Sequence, residues 1–447
     1  MSTVEAAPNL RVRRPGDADW DRSRQAWNLA VDQHPAAIAF PRDTAEVAAA
    51  VRYARERGLR VAPQRTGHNA NPLGSLEDTL LLRTDALQGV EIDAANRRAR
   101  VRAGAKWEDV VPQASDLGLA ALHGSTGDVS VVGYSLGGGL GWYARKHGLA
   151  ANSVTAIELV TADGEHVRAD RDNEPELFWA LRGGAGNFGV VTALEFDLIE
   201  QPLDYAGALF FPWERAGEVL QAWREWLPST PDEVTSVGRI LQFPPFDFVP
   251  EPLRGKSFAL VEAVYLGSED EGRELLEPLR ALGPVMDTFA MVPPEGIAEL
   301  HMDPKDPVPG VTDHSLLGAL SAEAIDDFVA VAGSGSGSTL LSVELRQLGG
   351  ALAQSSPDHG AIDTLDAEYA YFGVGMAPAP HIAAATRADL ERVGRMLAPH
   401  DAGRYANFTE ERVSADRFFG TKTHARLRAV KAQYDPENVF RANYAID

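Results

Sequence analysis

PAAIAFPRDTAEVAAAVRYARERGLRVAPQRTGHN, residues 35–69, decides how this chain begins to fold. AAIAFP reads as a short apolar strand that stops at Pro41, because proline has no N–H to give to a sheet. Asp43 or Thr44 then supplies an N-cap, and AEVAAAVRYARERG places Val47, Val51 and Ala54 on one helical face. Gly58 closes that helix just past its last turn. LRVAP reads as a second strand and ends on the polar turn Arg65-Thr66-Gly67-His68-Asn69. Gly67 permits a left-handed or closely approached backbone, so His68 projects from a tight turn rather than from a helix. Taken alone, such a histidine is an ordinary polar loop residue. The residues downstream give it a second reading.

Further along, TLLLRT and the hairpin GVEIDAANRRARVRAG (turn at DAAN) read as strands, and KWEDVVPQASDLG as an amphipathic helix. A short helix is expected around Trp20–Val31. The densest glycine region, GDVSVVGYSLGGGLGWYARKHGL, spans 127–149. SVTAIELVTADGEHVRAD reads as two strands joined at Ala162-Asp163-Gly164, and EPELFWALRG as a helix. A second glycine loop, GGAGNFGVVTALEFDLI (183–199), then runs into an apolar strand. After Pro202–Leu209 the texture changes. Strands YAGALFF, SFALVEAVYL, LLSVELRQL and EYAYFGVGM alternate with helices ERAGEVLQAWREWL, GRELLEPLRAL and ADLERVGRML. The expected organisation is therefore α+β, with one domain over 1–205, a second over 206–400, and a segment 401–447 that returns to the first.

At 447 residues the chain has room for two domains. No apolar run approaches the roughly 18 residues of a bilayer span, and the first residues lack a secretory pattern; a soluble, cytoplasmic protein is expected. A formal charge of −22 repels nucleic acid and anionic lipid, which leaves a small molecule as the expected partner. The absence of cysteine excludes disulfides, thiolate metal sites and any cysteinyl cofactor link. The eleven histidines form no HExxH or HxxxH pattern, so no metal is expected, and His314, His359, His381 and His400 read as solvated loop residues.

GYSLGGGLG (133–141) and GGAGNFG (183–189) each offer successive N–H groups unobstructed by side chains, which suits a pyrophosphate. Neither is a dinucleotide fingerprint or a P-loop. Two such clusters beside the Thr-Gly-His turn favour a large phosphate-bearing cofactor. A serine hydrolase built on Gly133-Tyr134-Ser135-Leu136-Gly137 is the alternative, and it requires a strand leading into Ser135.

Four segments in order resemble the berberine-bridge-enzyme-like branch of the vanillyl-alcohol-oxidase-type flavoproteins. They are the opening 35–69 stretch, GSTGDVSVVGYSLGGGLGWYARKHGLAANSV, FWALRGGAGNFGVVTALEF, and the C-terminal YANF…RLRAVKAQYDPENVF. The resemblance covers nearly the whole chain. It implies a PCMH-type FAD-binding domain of two α/β subdomains, and a substrate domain whose large antiparallel sheet is backed by helices. It further implies two-electron oxidation of a small organic substrate such as an alcohol, sugar or natural product.

His68 matches the residue that carries the flavin covalently in that family. Thr126 falls where many relatives place a second, cysteinyl link, so one tether through His68 is expected. The resemblance assigns FAD contacts to Arg65, Thr66, Gly67 and Asn69 in the first turn, and to Gly127, Asp128 and Val129 in the central segment. Gly133, Ser135, Gly137, Gly138 and Val154 continue that set, followed by Gly189, Val190, Tyr405, Asn407 and Asn443. Tyr405 and Asn407 form the family's Tyr-x-Asn, with Tyr405 as candidate base, and Glu344 joins them as a catalytic candidate. Ser342, Glu344 and Arg346 share a strand face that is either a substrate wall or solvent-facing. Tyr369 and Tyr371 share another, which is either pocket or aromatic core. Leu140 stands where relatives often have a tyrosine, so a catalytic role at that position is in doubt. Val129, at the position resembling the oxygen gate, favours reoxidation by O2 to give hydrogen peroxide. A dehydrogenase using another acceptor, or a flavoprotein that sequesters a natural product, are the alternatives.

Overall fold

The computed structural model describes residues 10–247 and 249–446. Strand Ala37–Ala39, helix Thr44–Arg55 and strand Arg60–Gln64 form the expected opening unit. Asp43, in extended conformation, caps the helix by accepting from the Glu46 N–H, and Val47, Val51 and Ala54 are buried. Strand Thr79–Arg83 inserts between the two, pairing parallel with both through Ile38↔Leu81 and Ala62↔Leu81. Val12–Arg13 adds an antiparallel edge. The polar turn with His68 thus leaves the carboxyl end of a parallel strand, where open α/β sheets bind ligands.

The second sheet is antiparallel, in the order Val90–Asp93, Arg98–Arg102, Val190–Asp197, Val154–Val160, His166–Asp170. Leu80 and Leu82 of the first sheet share one core with Val101, Leu159 and Leu194 of the second. Helix Trp107–Ser115 contributes Trp107, Val110 and Val111 to that core.

A nine-stranded antiparallel sheet follows. Its centre runs Asp204–Pro212, Ser257–Tyr265, Val234–Gln242, Ser342–Gln347, Tyr369–Met376, Gly310–Leu317. Helices Ala216–Trp226, Ala322–Ala332 and Pro380–Leu397 cover one face through Trp223, Phe328 and Val393, packed on Val261, Val343 and Leu345. Residues of opposite parity, Arg239, Glu262 and Glu344, occupy the other face and are also buried. Among the described residues no helix is long and apolar enough to cross a membrane.

The helix around Trp20 is shorter than expected. It ends at Arg24 because Trp27 N–H donates to Thr66 O at 2.9 Å and the Asn28 side chain bonds Gly310. Strands Val234–Gln242 and Gly310–Leu317 have no clear alternation in the sequence, since the first is buried on both faces and the second passes from half-buried to buried along its length.

The C-terminal segment divides. Asp401–Gly403 pairs with Leu316 and Leu317 in the large sheet. Further on, Val439 and Arg441 bond Val61 on both sides, at 2.8 Å each, so residues 439–441 close the outer edge of the strand that delivers His68. A buried knot fixes this return. Lys431 Nζ donates to Asp435 Oδ2 at 2.6 Å and to Asn187 O at 2.8 Å, and Asp435 accepts from the Val439 and Phe440 N–H groups. Breaking a buried ion pair by removing one partner costs about 3 kcal/mol or more. Asp435→Ala is therefore expected to lower the urea-unfolding free energy by about 3 kcal/mol; a loss within the roughly 0.5 kcal/mol of a surface substitution would show that the knot contributes little.

Candidate active site

The turn after Gln64 holds His68 from three sides. Gly67 lies at φ +84°, and a Cβ there would press on Gln64 and Ala26, so glycine is required. Thr66 Oγ1 is 2.8 Å from His68 Nδ1, and Trp27 stacks on the imidazole with ring centroids 4.2 Å apart. On the far side, Nε2 lies 3.3 Å from Asp128 Oδ2, so an Nε2–H would face the carboxylate. Asp128 is buried. Burial would raise its pKa, but His68, Thr126 and Trp27 outweigh that and hold the carboxyl below its ordinary range. Thr126 donates its hydroxyl to Asp128 Oδ1 at 2.8 Å. Asn69 Nδ2 donates to Ala406 O at 3.1 Å, while the Asn69 carbonyl accepts from Asn443 Nδ2, so the turn is tied to the C-terminal segment.

The first glycine cluster approaches the same segment. Ser130 caps helix Val131–Leu136 through the Gly133 N–H. Gly133 and Ser135 are therefore helical, and the strand that a hydrolase elbow requires before Ser135 does not exist. Past the helix, a Cβ on Gly137 would fall inside the Asn407 carboxamide, and one on Gly138 (φ +121°) would meet the Tyr405 ring. This closeness lets the Gly139 and Leu140 N–H groups donate to Tyr405 Oη at 2.7 and 2.9 Å. Asn407 Nδ2 adds a third donor at 3.1 Å and also reaches Tyr134 O at 2.8 Å. Two backbone N–H groups and an amide on one oxygen form the arrangement that stabilises an oxyanion. Burial works against them, and the Tyr405 pKa stays above the ordinary tyrosine value.

His314 is not a solvated loop residue. It lies in strand Gly310–Leu317, where it is buried. Its Nδ1–H donates to Tyr371 O at 2.6 Å, and its Nε2 accepts the Tyr405 N–H at 3.1 Å. Burial lowers its pKa to about 3, so the ring is neutral, in the one tautomer that serves both bonds.

The face carrying Ser342, Glu344 and Arg346 is a buried wall, with Glu344 only 1% exposed. His301 bridges two carboxylates, Glu262 Oε2 at 2.6 Å from Nδ1 and Glu344 Oε2 at 2.8 Å from Nε2. An imidazole faced by a carboxylate on each nitrogen carries both protons. Burial and Arg239 push its pKa down, but Glu262, Glu344 and Asp303 outweigh them and raise it to about 9. Arg239 bonds Ser342 Oγ at 2.7 Å and Glu262 Oε1 at 3.2 Å. Arg346 Nε bonds Glu344 Oε1 at 2.5 Å, and its guanidinium lies 5.1 Å from the centroid of Phe408. Burial opposes the ionised form of Glu344, yet Arg346, His301 and Arg239 hold its carboxyl well below the ordinary range.

The remaining expected residues take these places. Tyr369 and Tyr371 face away from Glu344, into the helix-covered core, beside Trp223 and Phe328. Strand parity explains this correction: the residues registered with Glu344 and Arg346 are Phe372 and Ala370. The Arg65 charge is paired with Asp85 at 3.0 Å, and its Nε is used by Gly104 O. Gly189 makes room for Leu159 and Val160 O, while Val190 and Val154 are core residues at strand starts, so the second glycine cluster meets protein at close range. Gly127 O and Val129 O accept from Glu108 and Trp107, docking the central segment on its neighbouring helix. Leu140 shares a small apolar cluster with Tyr405. Trp27, Arg239, Glu262, His301 and His314 were not anticipated. Their partners lie tens of residues away, and no local spacing marks them.

A pH dependence follows from His301. Its folded pKa of about 9 exceeds the ordinary value, so its stabilising contribution is complete below about pH 6.5 and lost as pH rises through about 9. The unfolding free energy is expected to drop by roughly 2 kcal/mol between about pH 7 and pH 10, and by clearly less in His301→Gln. Parallel profiles for the two proteins would rule this out.

The residues fit a flavin nucleotide. Buried polar atoms of Asn69 and Tyr134 have no hydrogen-bond partner among the described residues, a state that needs an explanation in a native interior, and the two lie on the segments that carry the His68 turn and the first glycine run. Residues 35–170 match the FAD binding domain family, and residues 404–447 match the berberine and berberine-like family. (R)-6-hydroxynicotine oxidase of Paenarthrobacter nicotinovorans is 31% identical, covering 100% of this chain and 99% of its own. Chitooligosaccharide oxidase of Gibberella zeae is 28% identical over 95% of this chain and 90% of its own. The crystal structure of 6-hydroxy-D-nicotine oxidase from Arthrobacter nicotinovorans superposes with a TM-score of 0.85 at 28% identity, covering 100% of both chains. Glucooligosaccharide oxidase from Acremonium strictum, which carries a 6-S-cysteinyl, 8α-N1-histidyl FAD, superposes at 0.82 with 23% identity over 98% of this chain and 97% of its own. The chain belongs to the berberine-bridge-enzyme-like family of FAD-linked oxidoreductases.

Proposed function

We propose that this protein oxidises an alcohol or amine carbon of a small organic substrate on an FAD tethered through His68 alone, with dioxygen as the final acceptor. Residues 1–205 and 401–447 hold the cofactor in this reading, and 206–400 supply the substrate wall. The bound FAD supplies a two-electron acceptor for hydride. The observation that carries the reading is the Tyr405 hydroxyl oxygen on three N–H donors, where the first glycine run meets the C-terminal segment. Tyr405 takes the substrate proton at Oη as the phenolate and becomes the neutral phenol. The Gly139 and Leu140 N–H groups, Asn407 and the Arg346 guanidinium favour the phenolate from which that transfer starts, against the burial that raises the Tyr405 pKa. Glu344 and His301 keep Arg346 in place and exclude water from the wall. Asn69 and Asn443 clamp the cofactor turn to the C-terminal segment.

Support for the substrate class comes from relatives named for oxidising hydroxynicotine and chitooligosaccharide. A single tether is supported by the lack of any cysteine. Val129 falls at the position resembling the family's oxygen gate, and a valine there supports dioxygen as acceptor.

Two measurements test the proposal. After denaturing precipitation the pellet is expected to stay yellow with the mass of one added FAD, and His68→Ala to release the flavin to the supernatant; a wild-type protein that releases all of it has no such tether. Tyr405→Phe is expected to slow anaerobic flavin bleaching by substrate about 10²- to 10⁴-fold, the range for loss of a positioned general base, with flavin content unchanged. Unaltered bleaching would remove Tyr405 from the proton transfer, and a ligand that binds without bleaching the wild type would indicate sequestration.

A further inference from the structure

We infer that Asp128 is the positioning residue that readies His68 for attachment to the flavin, by holding the Nε2 proton so that the Nδ1 lone pair reacts. The inference rests on the reading that His68 carries the cofactor. Its basis is the close approach of two buried atoms, His68 Nε2 and Asp128 Oδ2, 3.3 Å apart.

The imidazole has two neutral tautomers. With the proton on Nδ1, the Nε2 lone pair would point at a buried carboxylate, which is repulsive. With the proton on Nε2, the N–H faces the carboxylate, and Nδ1 accepts from the Thr66 hydroxyl at 2.8 Å. Asp128 therefore selects the second form. Thr66 is a displaceable guard, because its hydroxyl can rotate away about Cα–Cβ when the flavin arrives. Trp27, stacked with planes 20° apart, keeps the ring from turning. Thr126 occupies Asp128 Oδ1 at 2.8 Å and leaves Oδ2 for the ring. The residue that falls where relatives place a second tether thus supports the first one here.

A C–N bond forms between Nδ1 and the 8α-methyl carbon of the flavin, and one C–H bond of that methyl breaks. The alkylated ring is cationic until Nε2 gives up its proton, and Asp128 is the anion set against that nitrogen. The two hydrogens, leaving as two protons and two electrons, reduce one dioxygen to hydrogen peroxide.

The test is reconstitution with FAD of protein produced under riboflavin starvation, following covalent flavin by mass and by fluorescence of the denatured band. Asp128→Asn is expected to bind FAD without attachment and to tether it at least tenfold more slowly than wild type. Asp128→Glu is expected to recover part of the rate, since charge rather than shape is what matters. Equal rates in wild type and Asp128→Asn, or equal failure of the Asn and Glu variants, would overturn the assignment while leaving the tether itself intact. If Asp128→Asn does not bind FAD at all, Thr126→Val decides: a slower attachment supports the assignment and an unchanged rate overturns it. A wild-type protein that never retains flavin after denaturation overturns both.

Discussion

Tyr405 is held by groups from three distant parts of the chain, and the arrangement of the two halves of the molecule depends on it. The Gly139 and Leu140 N–H groups bind its hydroxyl, His314 of the large sheet binds its backbone N–H, and Asn407 links the same hydroxyl to the Tyr134 carbonyl. A side chain of this size is buried at 1% exposure only because each of its polar atoms finds a partner. Moving the glycine run, the sheet or the C-terminal segment would break at least one of these bonds.

The large sheet has two buried faces with opposite chemistry. Towards the helices it is apolar, with Val343, Leu345 and Tyr371 in one core. Towards the Tyr405 side it carries Arg239, Glu262, Glu344 and Arg346, charges that are tolerable in the interior only as a closed set of ion pairs. His301 closes that set in its doubly protonated form, one ring nitrogen facing each carboxylate, so the character of the wall depends on the protonation of one imidazole.

The opening βαβ unit was readable from residues 35–69 because its signals are local: a capping aspartate, an apolar helical face and a terminating glycine. The Tyr-x-Asn pair and the His68 turn were readable through resemblance. Strand parity correctly put Ser342, Glu344 and Arg346 on one face, and put Tyr369 and Tyr371 together, but parity does not say which face meets the helices. His301 and His314 were illegible for a different reason. Each takes its state from residues 39 to 91 positions away, so the sequence around His314 reads as a polar loop and that around His301 carries no signal. The second glycine cluster reads as a phosphate cradle in the sequence; in the fold its bare backbone makes room for Ile362, Phe188 and Leu159.

The return of the C-terminal segment sets an order of events during synthesis. Strand Arg60–Gln64 is made early, yet its outer edge is paired by residues 439–441, and Asn187 Oδ1 waits for the Ile446 N–H. The turn bearing His68 therefore keeps one side unbuilt until residues 439–441 have been made, so the first cofactor-facing turn of the sequence is among the last parts of the fold to be closed.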